Sequence, residues 1–295
     1  MQQTRYYQVA GHIFGVTAEE DIFGLMTNYE PFATQNGDSF SPVGTKEPIR
    51  DCALMLLLDP NKQAHLDSYT EEMRQDDGEQ VIVCGRTADG KSVYEFQWLG
   101  ETAGWLVCSD DYREGRLFMT GRHTKMAVDN ALMVQFAMAT AGQGTVLFHA
   151  AVVSHRGRGY MFLGKSGTGK STHARLWLNY IEGTELVNDD NPVVRDGVVY
   201  GSPWSGKTPC YRNVSYPLGG IVMLSQAPYN KIRRLGGIEA YASLVASISG
   251  QRWDSRIADG LHATENALAT HVPVWHLACL PDEAAARVCF AGISS

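Results

Sequence analysis

Residues 162–173, FLGKSGTGKSTH, bring three glycines, two lysines and four hydroxyl side chains into twelve positions. So little side chain and so much backbone suits a polyphosphate. Gly164, Gly169, Lys170 and Ser171 fit the Walker A pattern G-x-x-x-x-G-K-[ST]. In that pattern the glycines let backbone N–H groups turn inward around the phosphates, the lysine reaches the terminal phosphates, and the hydroxyl ligates magnesium. The candidate nucleotide-binding residues are therefore Gly164, Lys165, Ser166, Gly167, Thr168, Gly169, Lys170, Ser171 and Thr172, with ATP and Mg2+ as the expected ligands.

A second chemistry follows about twenty residues on. Asp189 and Asp190 end the apolar-led segment ELVNDD. Two adjacent carboxylates beside a triphosphate can divide two tasks, one holding the metal and the other accepting the proton of an attacking hydroxyl. The alternative is an Asp-Asp-Asn turn that opens a loop. Further along, SPWSGKTPCYRN carries Lys207 and Arg212, cations that could meet charge spreading over a transferring phosphoryl group. Two solvated loop cations would look the same.

These residues need a strand before the loop and a helix after it. GYMFL (159–163) supplies strand character, and Ala174, Trp177, Leu178 and Ile181 fall at i, i+3, i+4, i+7, an apolar helical stripe that Gly183 can stop. That helix would aim the positive end of its dipole at the phosphates. Thr145 to Val153 (TVLFHAAVV) reads as one apolar strand containing His149.

The combination of FHAAVV, GKSGTGKST and LVNDD in this order resembles HPr kinase/phosphorylase and its relatives, including kinases found with peptide-modification systems. The loop text SGTGKST is also similar to that of ATP-dependent phosphoenolpyruvate carboxykinase, which shares the fold and an acidic pair. The resemblance covers residues 145 to about 290. It implies an α/β fold, with a P-loop-containing mixed sheet of the HPr kinase/phosphoenolpyruvate carboxykinase type. It further implies that Gly164 through Ser171 hold the phosphates, that Asp189 is the base toward the acceptor hydroxyl, and that Asp190 with Ser171 ligates magnesium. His149 matches a family histidine near the phosphates, and a core histidine satisfied by a backbone carbonyl is the alternative. Two departures stand out. Thr172 follows the loop serine where the phosphocarrier kinases carry glutamate, and no lysine lies between Lys125 and Lys165 to build a carboxykinase metal site. The implied activity is ATP-dependent transfer of a γ-phosphoryl group to a hydroxyl, with serine of a protein or peptide as the acceptor. The rivals are a nucleotide-sensing protein that binds without transfer and a kinase of small molecules.

The remaining chain sets bounds. Its 295 residues, 44% hydrophobic and 19% charged, suffice for about two domains. A net charge of −7 without a basic block argues against nucleic acid as a partner. The N-terminal MQQTRYYQVAGH lacks a secretory pattern and no apolar run reaches membrane-span length, so the expectation is a cytoplasmic protein with no membrane partner. A homo-oligomer is left open. The six cysteines form no C-x-x-C pair and read as reduced, packed thiols.

Residues 1–122 read as a β-rich domain with a hairpin across Asp89-Gly90, open to a role in acceptor recognition, and EEMRQDDGEQ as a charged face or loop. Residues 123–295 read as the ATP-binding domain. It opens with a mostly buried helix from Thr124 to Gly142 and contains a second hairpin across Asp196-Gly197. IRRLGG reads as surface charge and GIEAYASLVASIS as a helix.

Overall fold

The computed structural model describes residues 1–34, 52–61, 66, 68–206, 208–250, 252 and 254–294. Among these residues the chain is a mixed α/β protein that divides by contacts into Met1–Ala139 and Thr140–Ser295.

The first unit is built on β1 (Gln3–Val9), β2 (His12–Ala18), β3 (Leu54–Leu58), β4 (Thr70–Asp76), β5 (Gln80–Arg86), β6 (Ser92–Trp98), β7 (Glu101–Cys108) and β8 (Glu114–Met119). They form one eight-stranded sheet in the order β1-β2-β3-β8-β7-β6-β5-β4. The expected hairpin is there: β5 and β6 pair antiparallel around Gly90, whose φ of +83° a side chain would strain. The sheet is a meander only from β4 to β8, because β3 runs parallel to both of its neighbours. Most of EEMRQDDGEQ is not a loop. Thr70–Asp76 is an edge strand, every residue exposed, held by its ladder to β5. Charges on such an edge oppose pairing with another chain.

Helix α1 (Glu20–Leu25) precedes these later strands, and α2 (Thr124–Thr140) follows them. The sequence had placed α2 at the start of the second domain, whereas it packs with the first unit. Phe136 meets Phe14 edge-on at 6.0 Å. The Gln135 amide donates to the carbonyls of Met55 (3.1 Å) and Tyr112 (3.0 Å). A helix with two fixed faces goes where its buried residues find partners. Its 3-10 extension ends at Gly144, φ +70°, two residues beyond the expected Gly142.

The second unit contains β9 (Thr145–Phe148), β10 (Ala150–His155), β11 (Arg158–Leu163), α3 (Lys170–Tyr180), β12 (Thr184–Asp190), β13 (Val193–Arg195) and β14 (Val198–Tyr200). There follow β15 (Ser215–Gln226), β16 (Lys231–Leu235), α4 (Gly237–Val245), β17 (Ile248–Ser249), α5 (Ser255–His271), β18 (Val274–Cys279) and α6 (Glu283–Ser294). The strands make a ten-stranded mixed sheet in the order β12-β10-β11-β15-β14-β13-β9-β17, with β18 beside β15 and β16 beside β18. β11, β15 and β18 run parallel to one another, and the other pairs are antiparallel. Ala151, Val153, Phe162, Ala174, Trp177, Val222, Leu277 and Cys289 form a buried cluster between this sheet, α3 and α6.

TVLFHAAVV is two strands, not one. β9 pairs with β13 and β17, β10 with β11 and β12, and His149 stands where the chain changes partners. IRRLGG contributes β16, a strand against β18. GIEAYASLVASIS is helical only to Val245 and then gives the two residues of β17. Cys52, Cys84, Cys108, Cys210 and Cys289 are buried free thiols, and Cys279 is partly exposed. Among the described residues no helix is long and apolar enough to cross a membrane.

Candidate functional site

β11 ends in three fully buried residues, Met161, Phe162 and Leu163, which anchor the start of the glycine-rich loop. The helix that follows buries Lys170, His173, Ala174 and Trp177, while Leu178 points outward at 37% exposure. The expected stripe is thus rotated by one position, with His173 in the core. Phe162 packs edge-on against the His173 ring at 4.7 Å and at a tilt of 58° against Trp177 at 5.5 Å. The Trp177 indole N–H donates to Nε2 of His173 (3.2 Å), and burial pushes the imidazole pKa down to about 4. His173 is therefore a neutral core ring.

Between strand and helix, Gly164 (φ +153°), Gly167 (+77°) and Gly169 (+107°) take backbone conformations that a side chain would strain. Gly169 is the helix N-cap and makes no side-chain cap. The first turn of α3 therefore presents its N–H groups at the loop, the arrangement that favours an anion. Lys165, Ser166, Gly167 and Thr172 are exposed, and Gly164, Thr168, Gly169 and Ser171 half-buried. Lys170 is only 8% exposed. Its ammonium donates to the carbonyls of Gly164 (2.9 Å) and Lys165 (3.4 Å), clipping the loop closed. Burial lowers its pKa, opposed by attraction to Asp190 and Asp189.

The acidic pair reaches the same sheet edge by topology. β12 is antiparallel to β10, which is antiparallel to β11, so β12 and β11 run the same way and both end beside the loop. Register then sorts the two carboxylates. Asp189 lies opposite Ala151, whose side chain belongs to the core under α3, so Asp189 faces the helix side; Asp190, opposite Ala150, faces the other. Asp189 is 4% exposed, and neither carboxylate oxygen has a hydrogen-bond partner among the described residues. A buried carboxylate without a partner is costly and rare. Asp190 is half-buried, with Oδ1 3.0 Å from Nδ1 of His149. His149 is not a core histidine satisfied by a backbone carbonyl: its ring is about half exposed and meets Asp190, and the bond to the Ser247 carbonyl (2.9 Å) is made by its backbone N–H.

Three residues that the sequence reading passed over set the geometry of the pair. Asn188, fully buried, accepts from the Asp190 N–H (3.0 Å) and donates to the Ser202 hydroxyl (3.1 Å), which itself donates to the Asn191 carbonyl (2.6 Å). This latch fixes the turn after β12. Gly206 N–H donates to the Asp189 carbonyl (3.1 Å), and a Cβ at Gly206 would stand 2.7 Å from that oxygen and 3.1 Å from Asp190 Cβ. Asn188 immediately before the two aspartates was the legible hint; the demand for glycine at 206 was not.

Arg212 is not brought to the pair. Its guanidinium donates to the Leu186 carbonyl (2.7 Å) and to Glu185 (2.7 Å), and this contact raises its pKa. Leu186 is four residues, about 13 Å, back along β12 from Asp190. Lys207 lies outside the described residues. Among the described residues no three His, Cys, Asp or Glu side chains cluster as a protein-only metal cage. A hydroxyl and one or two carboxylates instead make an all-oxygen donor set, which fits Mg2+ shared with substrate phosphates.

Beyond the loop, on the side away from the acidic pair, a cavity of about 610 Å³ is lined by the loop, α3 and the chain after β15 and β18. No protein-family model matches the chain, and no curated protein matches it.

Proposed function

We propose that the chain is an ATP-dependent phosphotransferase that moves a γ-phosphoryl group to a hydroxyl, with serine of a protein or peptide as the acceptor. Its second unit would be a phosphate-loop sheet of the HPr kinase/phosphoenolpyruvate carboxykinase type. The observation that carries this reading is Asp189, a buried carboxylate with no hydrogen-bond partner among the described residues, on the helix side of the edge where the glycine-rich loop and Lys170 emerge. A protein that only held a nucleotide would need Asp190 and Ser171 at most. Retaining a second, unpaired carboxylate makes sense where a proton must be taken up.

In this reading the loop N–H groups and the α3 N-terminus bind the β- and γ-phosphates. Lys170 exchanges its contacts with the Gly164 and Lys165 carbonyls for phosphate oxygens. Asp189 accepts the acceptor hydroxyl's proton as the new O–P bond forms and the bond to the β-phosphate oxygen breaks, ADP leaving with that electron pair. Ser171 and Asp190 would hold Mg2+, which neutralises phosphate charge.

The test is mass spectrometry of a serine-containing peptide library incubated with the full chain and labelled ATP, beside an Asp189→Asn control. Label on serine that vanishes in the control supports the reading. Tight ATP binding with no transfer to any hydroxyl would favour the nucleotide-sensing alternative.

A further inference from the structure

Charge is divided unevenly between the two units. Met1–Ala139 carries 21 acidic and 11 basic side chains, a formal charge of −10, and Thr140–Ser295 carries 11 and 14, a formal charge of +3. The first unit therefore draws cations.

Part of that acid is gathered on an open sheet edge. Among the described residues β4 pairs only with β5, so the main-chain groups along its outer side have no strand beside them. The opposite edge of the same sheet is in use: Ala33 bridges Tyr7, and the Thr34 N–H donates to the Tyr6 carbonyl (3.0 Å). Every residue of Thr70–Asp76 is exposed. The β4–β5 ladder shifts between Glu71 and Met73 and is regular from Met73 to Asp76. Glu71 and Glu72 precede that regular stretch, Asp76 ends it, and Asp77 and Glu79 follow, both exposed.

Two of these carboxylates have local cations. Arg74 donates to Glu71 (2.8 and 3.1 Å), and Arg86 lies 3.5 Å from Glu72. Exposed pairs of this kind are weak and exchange for a better partner. Over residues 71–79 five carboxylates meet one arginine, so the edge keeps an acidic surplus.

Such an edge repels a second copy of itself and favours a strand of opposite sign. An extended chain laid beside it gains main-chain hydrogen bonds whatever its sequence, and lysine or arginine opposite the carboxylates gives selectivity. The rival occupant is β16 of a second copy, a basic edge strand with Lys231, Arg233 and Arg234. Its charge is largely spoken for, since Arg233 pairs with Glu239 (2.8 Å) and Arg234 lies over the Trp275 ring (5.8 Å). A cationic peptide brings all of its charge.

Resting on the phosphotransferase reading, we propose that β4 is the docking edge for the acceptor. A lysine- or arginine-rich extended segment adds beside Met73–Asp76 as a further strand, and the serine to be phosphorylated is carried on the chain outside that segment. The substrate class is a basic, unfolded peptide, and docking raises the local concentration of its serine.

Fluorescence anisotropy on the full chain tests this with a labelled peptide of alternating lysine and valine that ends in a flexible glycine-serine tail. Its glutamate-valine counterpart and a copy N-methylated throughout the lysine-valine segment run beside it. The lysine peptide should bind about tenfold or more tighter than either, and added salt should weaken it. Glu71→Gln/Glu72→Gln/Asp76→Asn should lose about tenfold in peptide affinity while ATP affinity and thermal midpoint stay those of the native chain. Equal binding of the lysine and glutamate peptides, or native affinity in the triple variant, overturns the acidic edge as the site. Equal binding of the N-methylated copy overturns strand addition. Self-association of the native chain that blocks the peptide and disappears in Lys231→Glu assigns the edge to a second copy and overturns the proposal as well. Labelled ATP separates this from the reading beneath it. A docked peptide with no label on its serines supports the edge and counts against phosphoryl transfer, whereas label on the tail without binding at β4 does the reverse.

Discussion

Nδ1 of His149 lies 3.0 Å from Oδ1 of Asp190, across the junction where β9 gives way to β10 and β12 gives way to β13. The imidazole orients one carboxylate of the acidic pair and leaves Asp189, its neighbour in sequence, with no hydrogen-bond partner among the described residues on the other face. Different roles for the two aspartates follow from this asymmetry.

His149→Ala should leave metal-free nucleotide binding nearly unchanged and weaken the magnesium-dependent part by about tenfold or more, as outer-shell partners of metal-ligating carboxylates do. Titration of ATP with and without magnesium separates the two. An equal loss in both would assign the imidazole a purely structural role, since the backbone bond to Ser247 persists in the variant.

Asp189→Asn should lower transfer by about 10²–10⁴-fold, the range for general base catalysis, while leaving the thermal midpoint unchanged or raising it. Replacing a buried carboxylate that has no hydrogen-bond partner among the described residues by a neutral amide relieves desolvation. A marked fall in the midpoint would mean that Asp189 has a structural partner. Asp190→Asn, by contrast, should act on metal-dependent binding.

Lys170→Ala should weaken ATP binding by about 10- to 100-fold, the worth of hydrogen bonds to a charged group. Because the ammonium also clips the Gly164 and Lys165 carbonyls, some loss of loop order should accompany it, seen as faster amide exchange over residues 164–169. ATP affinity equal to that of the native chain would remove the assigned site.

Gly206→Ala should destabilise by about 1–3 kcal/mol, because the added methyl meets a backbone oxygen that cannot move aside. Transfer should fall with it, since the same oxygen and the Asp190 side chain border the acidic pair. Denaturant midpoints and initial rates on one preparation check both.

Acid should loosen the second unit through His173. Its ordinary pKa of 6.5 is depressed to about 4 in the folded state, so the unfolded chain binds a proton there first as pH falls. Stability is therefore full above pH 6.5 and is lost between 6.5 and about 4, by about 3 kcal/mol in all. Burial lowers the His155 pKa as well, which steepens the slope. Urea unfolding of the native chain and His173→Gln at pH 7 and pH 4.5 should show a smaller pH dependence in the variant. Identical slopes would contradict the neutral core ring.

What the sequence disclosed and what it hid have physical causes. The strand, loop and helix around Gly164–Ser171 were legible because glycine spacing and an apolar strand are local signals, as were the two Asp-Gly hairpins. The break at His149 was hidden: an uninterrupted apolar run says that residues are buried, not which strands they pair with. Helix α5 was missed because SRIADGLHATENALATH buries Ile257, Leu261 and Leu268 behind a largely polar text, and Glu265 is buried as well. Arg212 looked like a cation near phosphate, but a loop's composition does not say that Glu185 will take its charge.

The break at His149 also divides the second unit mechanically. On one side are β9, β13, β14 and β17, on the other β10, β11 and β12, and the twelve-residue β15 belongs to both, pairing with β14 through Ser215–Pro217 and with β11 through Leu218–Met223. The two halves are thus sewn by one long strand, by chain crossings at His149 and Asn191, and by α4 and α5, which carry the chain from β16 to β17 and back to β18. Such a seam allows one half to open while the other stays closed. Amide protons of β13 and β14 should exchange with solvent as one group and those of β10 and β11 as another, with the proposed chemistry on the border between them.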